Sequence, residues 1–441
     1  MSAVTTSRNA PAMAWPAWQR IAFRFFCIYL TLQIAPWNWL ARIPGLGGIT
    51  TPIDTLLNWS VQAANARMFH VRDPLILPNG SGDTSWAWAQ LWLFLAVAAF
   101  GAALWSILDR RRPHYRCAGY WLRTLVRYYI ATFALSYGLI KIFALQMTFP
   151  SLSQMATPLG DLLPMRLSWL FIGYSTPYQV FSGVMETVAG LLLLPRRTVT
   201  LGLIAGAGAF LNVVMINLAY DVPVKLFASH LLLACVFLLA QDAQRLLAFL
   251  ALNQGAGATT LYEPPDAGRR LRYARIAAKS VLIVLILILP AYSAWQGAQQ
   301  RAAQVPPVPL SAGVYDVRLF VVHGDTIPAL TSDSLRWRDV IIDNNTQGSI
   351  GTTDTLFWQR YRRGHFRYKA DTTRHTLAVW HSSFRLDSTH AFTARYDVPD
   401  SNTARLWTTI RGDSVYVELV RSARHFQLAE RQFHWLSEYN R

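Results

Sequence analysis

Cysteine is scarce in this chain: three in 441 residues, Cys27, Cys117 and Cys235. No CxxC pair exists, so neither a local thiol redox couple nor a thiolate zinc site can be built from adjacent ligands. The C-terminal third has no cysteine at all and must hold together by packing alone. Charge is scarce too, at 15% of residues, where a soluble globular chain carries about 25%. What charge there is leans one way, with a formal net of +17. A nucleic-acid partner would call for a basic patch or stripe. From Arg301 onward, however, 18 Lys and Arg face 14 Asp and Glu, so most of the excess lies earlier, between apolar runs. No nucleic-acid partner is expected. Seven of the ten histidines lie between His323 and His434, none as a close pair with ligand spacing, so no metal site is expected. G-x-S-x-G, Walker and G-x-G-x-x-G motifs are missing from suitable contexts. Met1–Ala17 lacks the short apolar core and small-residue cleavage site of a removable signal.

Hydrophobic residues are abundant, at 53%. They cluster into runs near the ~20 residues that cross a ~30 Å hydrocarbon core. The runs cover about 18–40, 86–108, 122–147, 178–195, 199–220, 224–248 and 276–296. A spanning segment must pair its own backbone groups, so each is read as a helix. The fold class expected is an α-helical transmembrane bundle of about seven helices, followed by an antiparallel all-β sandwich or small barrel. Leu167–Ile172, between Pro164 and Pro177, reads as a short interfacial segment.

Basic residues set the orientation. One set of loops holds Arg8, Arg20, Arg110, Arg111, Arg112, Arg116, Arg123, Arg196, Arg197, Arg245, Arg269, Arg270, Arg272, Arg275 and Lys279. The other holds Arg42, Arg67, Arg72, Arg166 and Lys225, fifteen against five. A cytoplasmic N-terminal segment (1–17) and an extracytoplasmic C-terminus follow, in the inner (cytoplasmic) membrane, with the lipid bilayer as the obligatory partner. Trp37, Trp39, Trp86, Trp88 and Trp295 fall at outer ends, where interfacial aromatics belong. The helical domain is expected over 18–298, a linker over 299–309 and the β domain over 310–441.

Asn253–Asp266 reads as a Gly-, Thr- and Pro-containing linker. After the prolines of Gln299–Pro309 the pattern changes to period two. Strands are expected near Tyr315–Val321, Trp337–Ile342, Phe357–Tyr361, Phe366–Ala370, Thr376–His381, Ala391–Tyr396, Ala404–Ile410 and Val415–Leu419. Turn signals fall at His323–Asp325, Arg363–Gly364 and Arg411–Asp413. The turn-rich stretch Asp73–Asp83 lacks calcium-loop spacing and reads as a plain loop.

Four consecutive apolar runs each carry a polar group at similar depth: Lys141, Glu186, Asn212 and His230, with Asn217 nearby. At 1.5 Å per residue each lies roughly 10–12 Å below the outer interface. An ionisable group there costs roughly 2.5–3.5 kcal/mol unless it finds a partner inside the bundle. Lys141 and Glu186 are therefore expected to face each other or a shared wet cavity. The plainer alternative is that polar groups glue helices together, at about 1 kcal/mol or less each, or that Lys141 snorkels outward. Asp221 and Lys225 read as a surface pair of little weight, and Gly206–Ala209 as close helix packing.

Gly138-Leu139-Ile140-Lys141 ends the third run. Glu186-Thr187-Val188-Ala189-Gly190 and four leucines are followed by Arg196-Arg197. This order resembles the G-x-x-K and E-x-x-x-G-L-L-L-L … R core of DoxX-like membrane proteins, over about 120–245. Their wider superfamily includes vitamin K carboxylase-like transmembrane regions. The resemblance implies a four-helix core with Gly138, Lys141, Glu186, Gly190, Arg196 and Arg197 at motif positions. It also implies a membrane role of unassigned activity, or a subunit of a thiosulfate:quinone type oxidoreductase with quinone as cofactor. Three functions stand open: a non-enzymatic component or scaffold with other membrane or periplasmic subunits as partners, a quinone-linked redox subunit, and a transporter. Against the last, no inverted repeat of interrupted helices is visible.

Overall fold

The computed structural model describes residues 14–43, 45–257, 259, 261–262, 268–303, 308–329, 335–354, 361–381, 390–431 and 433–438. The chain forms two compact units, Met1–Gln146 with Pro177–Gln296, and Met147–Thr176 with Gly297–Arg441, so it passes from one unit to the other three times.

The first unit is helical. Its elements are α1 (Ala17–Ile34), α2 (Thr51–Ala64), α3 (Ser85–Leu108) and α4 (Arg116–Ile142), all before the first passage to the second unit. The second unit contributes the short α5 (Leu152–Met155) and α6 (Pro164–Tyr174) before the chain returns. Then come α7 (Thr176–Leu192), α8 (Val199–Ala219), α9 (Lys225–Ala240), α10 (Ala243–Leu250), α11 (Arg269–Ile283) and α12 (Leu289–Ala302). Among the described residues three helices are long and apolar enough to cross a membrane: Ser85–Leu108, Arg196–Ala219 and the 34-residue run Arg269–Ala302. A fourth counts if α9 and α10, bent by 84°, are taken as one. The straight run expected over 224–248 is thus replaced by a sharp elbow at Gln241 and Asp242. The helices on the remaining expected runs are shorter or more polar: α7 has 17 residues, and α4 carries Arg123, Arg127 and Lys141. The core joins Tyr29, Leu30 and Ile34 of α1 to Val126, Ile130 and Leu135 of α4 and Leu231 and Cys235 of α9.

In the second unit nine strands follow among the described residues: β1 (Gly313–Val322), β2 (Asp325–Thr326), β3 (Asp339–Asp343), β4 (Gln347–Gly351), β5 (Arg363–Asp371), β6 (Thr376–His381), β7 (His390–Asp400), β8 (Thr403–Ile410) and β9 (Asp413–Arg421). A four-residue helix, α13 (Gln427–Glu430), follows them. Successive strands pair antiparallel, and β9 returns to pair with β1. The result is an eight-stranded up-and-down barrel of β1 and β3–β9, with the two residues of β2 appended to β1. Of the two β architectures expected, the barrel is the one formed. Eight strands give a lumen that side chains can just fill. Tyr315, Phe320, Trp337, Phe366, Tyr368, Phe392 and Tyr396 fill it, leaving an apolar cavity of about 30 Å³. Arg363 and Gly364, expected as a turn, begin β5 instead. The strand expected at Phe357–Tyr361 falls outside the described residues except for Tyr361.

Met147–Thr176, expected inside the helical domain, packs on the barrel. Asp343 on β3 accepts from the Ser153 N–H (3.1 Å) and the Ser151 hydroxyl (3.3 Å), capping α5. The Ser349 hydroxyl of β4 donates to Ser153 Oγ (2.7 Å) and accepts from Arg363 Nε (2.8 Å), while Arg363 also pairs with Asp339. Further along, Arg166 donates to the Tyr361 hydroxyl (2.6 Å) and Arg362 pairs with Asp161 (3.1 Å). Ile341, wholly buried, meets Ala156 and Leu152 there. This covering explains why β3 and β4 are buried on both faces while β1 and β7 alternate.

Candidate functional site

One face of α7 carries Gln179, Gly183, Glu186 and Gly190, spaced by four, three and four residues, so all four point the same way. That face meets α4. A Cβ at Gly183 would lie 2.6 Å from the Gly138 carbonyl oxygen, and one at Gly190 2.8 Å from Leu135 Cγ. One at Gly138 would lie 2.8 Å from the Gly183 carbonyl oxygen. Only glycine permits backbones to touch this closely, the usual small-residue route to helix packing in lipid. The close approach carries Lys141 to Glu186: the ammonium donates to Glu186 Oε1 in an ion pair buried on both sides.

The pair is only half satisfied. Glu186 Oε2, Thr187 Oγ1 and both amide atoms of Gln179 are buried without a hydrogen bond among the described residues. Gln179 has no exposed surface at all. Buried polar atoms are nearly always hydrogen-bonded, so a row of orphans along one helix face calls for a reason. A carboxylate oxygen, an amide and a hydroxyl together offer both acceptors and a donor to a polar group entering the seam.

The other residues of the expected layer go elsewhere. Asn212 is exposed on α8. Asn217 is buried and donates to the Val224 carbonyl (3.3 Å), closing the corner between α8 and α9. His230 bonds through Nε2 to the Tyr29 hydroxyl and through Nδ1 to the Leu226 carbonyl, 2.6 Å each, and so joins α9 to α1. Equal depth on separate helices did not mean a shared centre. Lys225 pairs with Asp221 (2.6 Å), as expected of a surface pair. Asp83, from the loop read as a plain turn, accepts from the Lys225 (2.8 Å) and Leu226 (3.0 Å) N–H groups and so caps α9. Arg196 donates to the Tyr120 hydroxyl (2.5 Å), and Arg197 is exposed.

Three polar residues escaped the sequence reading. Gln179 sits two helical turns before Glu186, a spacing that could have been noticed. Arg24 is buried on α1, donating to the Tyr115 hydroxyl (3.0 and 2.8 Å) and Ser106 Oγ (2.8 Å). Arg127 follows Arg123 by one turn inside the third apolar run. It stacks over the Tyr128 ring at 4.6 Å. Among the described residues no group of three or more metal-ligating side chains comes together.

Fold and site together define a helical unit with at least three membrane-length apolar helices, joined to an eight-stranded antiparallel barrel. No family model matches the chain, and no solved structure matches it. It is similar to the "Uncharacterized protein YwoB" of Bacillus subtilis (strain 168), with 35% identity over 79 residues, 18% of this chain. The match covers 51% of that protein, so the chain spans about half the length of the curated relative it matches.

Proposed function

We propose that the chain is a DoxX-like multi-pass protein of the inner membrane, a non-enzymatic component or scaffold of an envelope or respiratory process. In this reading the N-terminus is cytoplasmic, seven crossings deliver the barrel to the extracytoplasmic side, and other membrane or periplasmic subunits dock there. The observation that carries the reading is the double use of one connection. Met147–Thr176 leaves α4, which holds Lys141, packs on the barrel, and returns as α7, which holds Glu186. A rearrangement at the buried pair therefore has a covalent route to the barrel of ten residues from Lys141 to Ser151, and twenty from Arg166 back to Glu186. Cross-linking in intact membranes, followed by extraction in mild detergent, tests it. A stoichiometric complex that dissociates in Lys141→Met is the expected result. A monomer without cross-linked subunits counts against a scaffold.

A second reading, a quinone-linked oxidoreductase subunit, draws support from the orphaned Gln179 amide, which can donate to a quinone carbonyl, and Glu186 Oε2, which can accept from the hydroxyl of the reduced quinol. Unchanged quinone reduction in a folded Glu186→Gln variant would remove it.

A further inference from the structure

At the end of α4 remote from Lys141, the helical unit holds a second polar feature. Arg127 and Lys141 are 14 residues apart on one helix, about 21 Å at 1.5 Å per residue. Around Arg127 lies a cavity of about 150 Å³ between the first turns of α4 and α8, the last turn of α9, and α10. It is smaller than the roughly 300–1,000 Å³ of pockets for drug-sized ligands and suits a compact group.

Its chemistry is divided. Arg123, Arg127, Arg196 and Arg245 line it together with the Thr124 and Thr200 hydroxyls, one carboxylate (Asp242) and apolar residues that include Leu203 and Leu238. Arg245 is answered by Asp242 (2.5 Å) and donates to Thr200 Oγ1 (3.3 Å). Arg123 donates to the Tyr262 carbonyl (2.7 Å). Arg127 is different: its Nε is buried and makes no hydrogen bond among the described residues. An arginine within an apolar helix is costly and marks a pathway or a ligand unless it is paired. Guanidinium is also the side chain best shaped for a planar, two-pronged grip on phosphate.

The setting indicates where the phosphate comes from. Arg196–Ala219 is a membrane-length helix, and the cavity sits at its N-terminal end, where a bilayer's headgroups would be. Beside the cavity α10 turns away from α9 by 84° and leaves Leu247, Phe249 and Leu250 exposed. A helix turned across the bundle with a bare apolar face lies naturally in the interface plane, holding Arg245 at headgroup depth. Basic pockets between membrane helices bind anionic headgroups by this geometry. We infer that the cavity around Arg127 binds a phosphate oxyanion, supplied by an anionic phospholipid whose chains lie against α10. The inference is independent of what the Lys141–Glu186 pair does.

The test uses the full chain, delipidated in neutral detergent, with thermal unfolding and native mass spectrometry as readouts. Phosphatidylglycerol, phosphatidylcholine and inorganic phosphate are added separately to wild type and to Arg127→Gln. Phosphatidylglycerol is expected to raise the wild-type midpoint and to be retained as a stoichiometric adduct, while phosphatidylcholine does neither. Arg127→Gln should weaken that binding about thirtyfold or more, as truncating one partner of a buried charge pair does. Equal stabilisation by inorganic phosphate alone would support the oxyanion site but reassign its source to a soluble phosphate. Should Arg127→Gln not fold, Leu203→Trp decides, because it narrows the cavity while leaving every charged lining residue in place and should also abolish the adduct. No preference for phosphatidylglycerol or phosphate over phosphatidylcholine, or an adduct unaffected in either variant, overturns the inference.

Discussion

Removing one member of the Lys141–Glu186 pair should be far worse than removing both. The two groups are buried, and neither Lys141 Nζ nor Glu186 has another charged partner among the described residues. Lys141→Met leaves a carboxylate with one oxygen already orphaned. Glu186→Leu leaves an ammonium in the same buried seam. Breaking a buried pair costs about 3–5 kcal/mol, whereas replacing both partners by apolar groups of similar volume is often neutral or stabilising. At about 2–4 °C per kcal/mol for a domain of roughly 150–250 residues, each single change should lower the unfolding midpoint by about 6–20 °C. The double change should return to within a few degrees of wild type. Detergent-solubilised protein followed by fluorescence-detected size exclusion after a heat ramp reads all four corners of the cycle. Single changes under about 1 kcal/mol, or a double change as damaging as the sum, would refute the burial argument. A double variant that is stable yet functionally dead would identify the pair as part of the working site.

Other outcomes follow from the same packing logic. Gly183→Val should cost about 1–3 kcal/mol from overpacking and separate α4 from α7. Gly208→Val, where a Cβ meets nothing within 4 Å, should be neutral in the same heat-ramp assay. Arg24→Lys should destabilise nearly as much as Arg24→Met, because only a guanidinium reaches Tyr115 and Ser106 together; about 1–3 kcal/mol is expected for the groups left unpaired. Burial pushes the Asp343 carboxyl above its usual 3.8, only partly countered by its hydrogen bonds from Ser153 and Ser151. The native state therefore holds this proton more tightly than the unfolded chain. The associated stability is full below 3.8 and is lost as pH rises through the raised value. Asp343→Asn should remove that loss, so protease protection of Met147–Thr176 in the variant should match wild type near pH 4 and equal or exceed it at pH 7. A variant less protected at pH 7 than at pH 4, relative to wild type, would contradict the sign.

The sequence exposes the features that rest on local pattern and hides those that rest on tertiary neighbours. Thr376–His381 and the core of β1 were legible because alternate residues, Leu377 and Val379 in the first and Tyr315 and Val317 in the second, are apolar and turn to the barrel core. The Gln347–Gly351 strand was not, since Gln-Gly-Ser-Ile-Gly shows no alternation, and Met147–Thr176 buries its outer face as well. Lys141 and Glu186 could be paired in advance because an unpaired charge in oil is expensive. Asn212 and His230 could not be placed by depth alone, as rotation about a helix axis decides whether a side chain faces a neighbour or the outside. Arg127 lay hidden among so many arginines assigned to loops. The elbow between α9 and α10 carries no proline or glycine to announce it.

Membrane sidedness is the measurement that bears most directly on the proposed architecture. With only three native cysteines to remove, single cysteines can be placed at Arg112, in the loop before α4, and at Gly412, in the turn between β8 and β9. An impermeant thiol reagent applied to intact cells or right-side-out vesicles is expected to label position 412 and to reach position 112 only after permeabilisation. Labelling of both positions from the same side would contradict it.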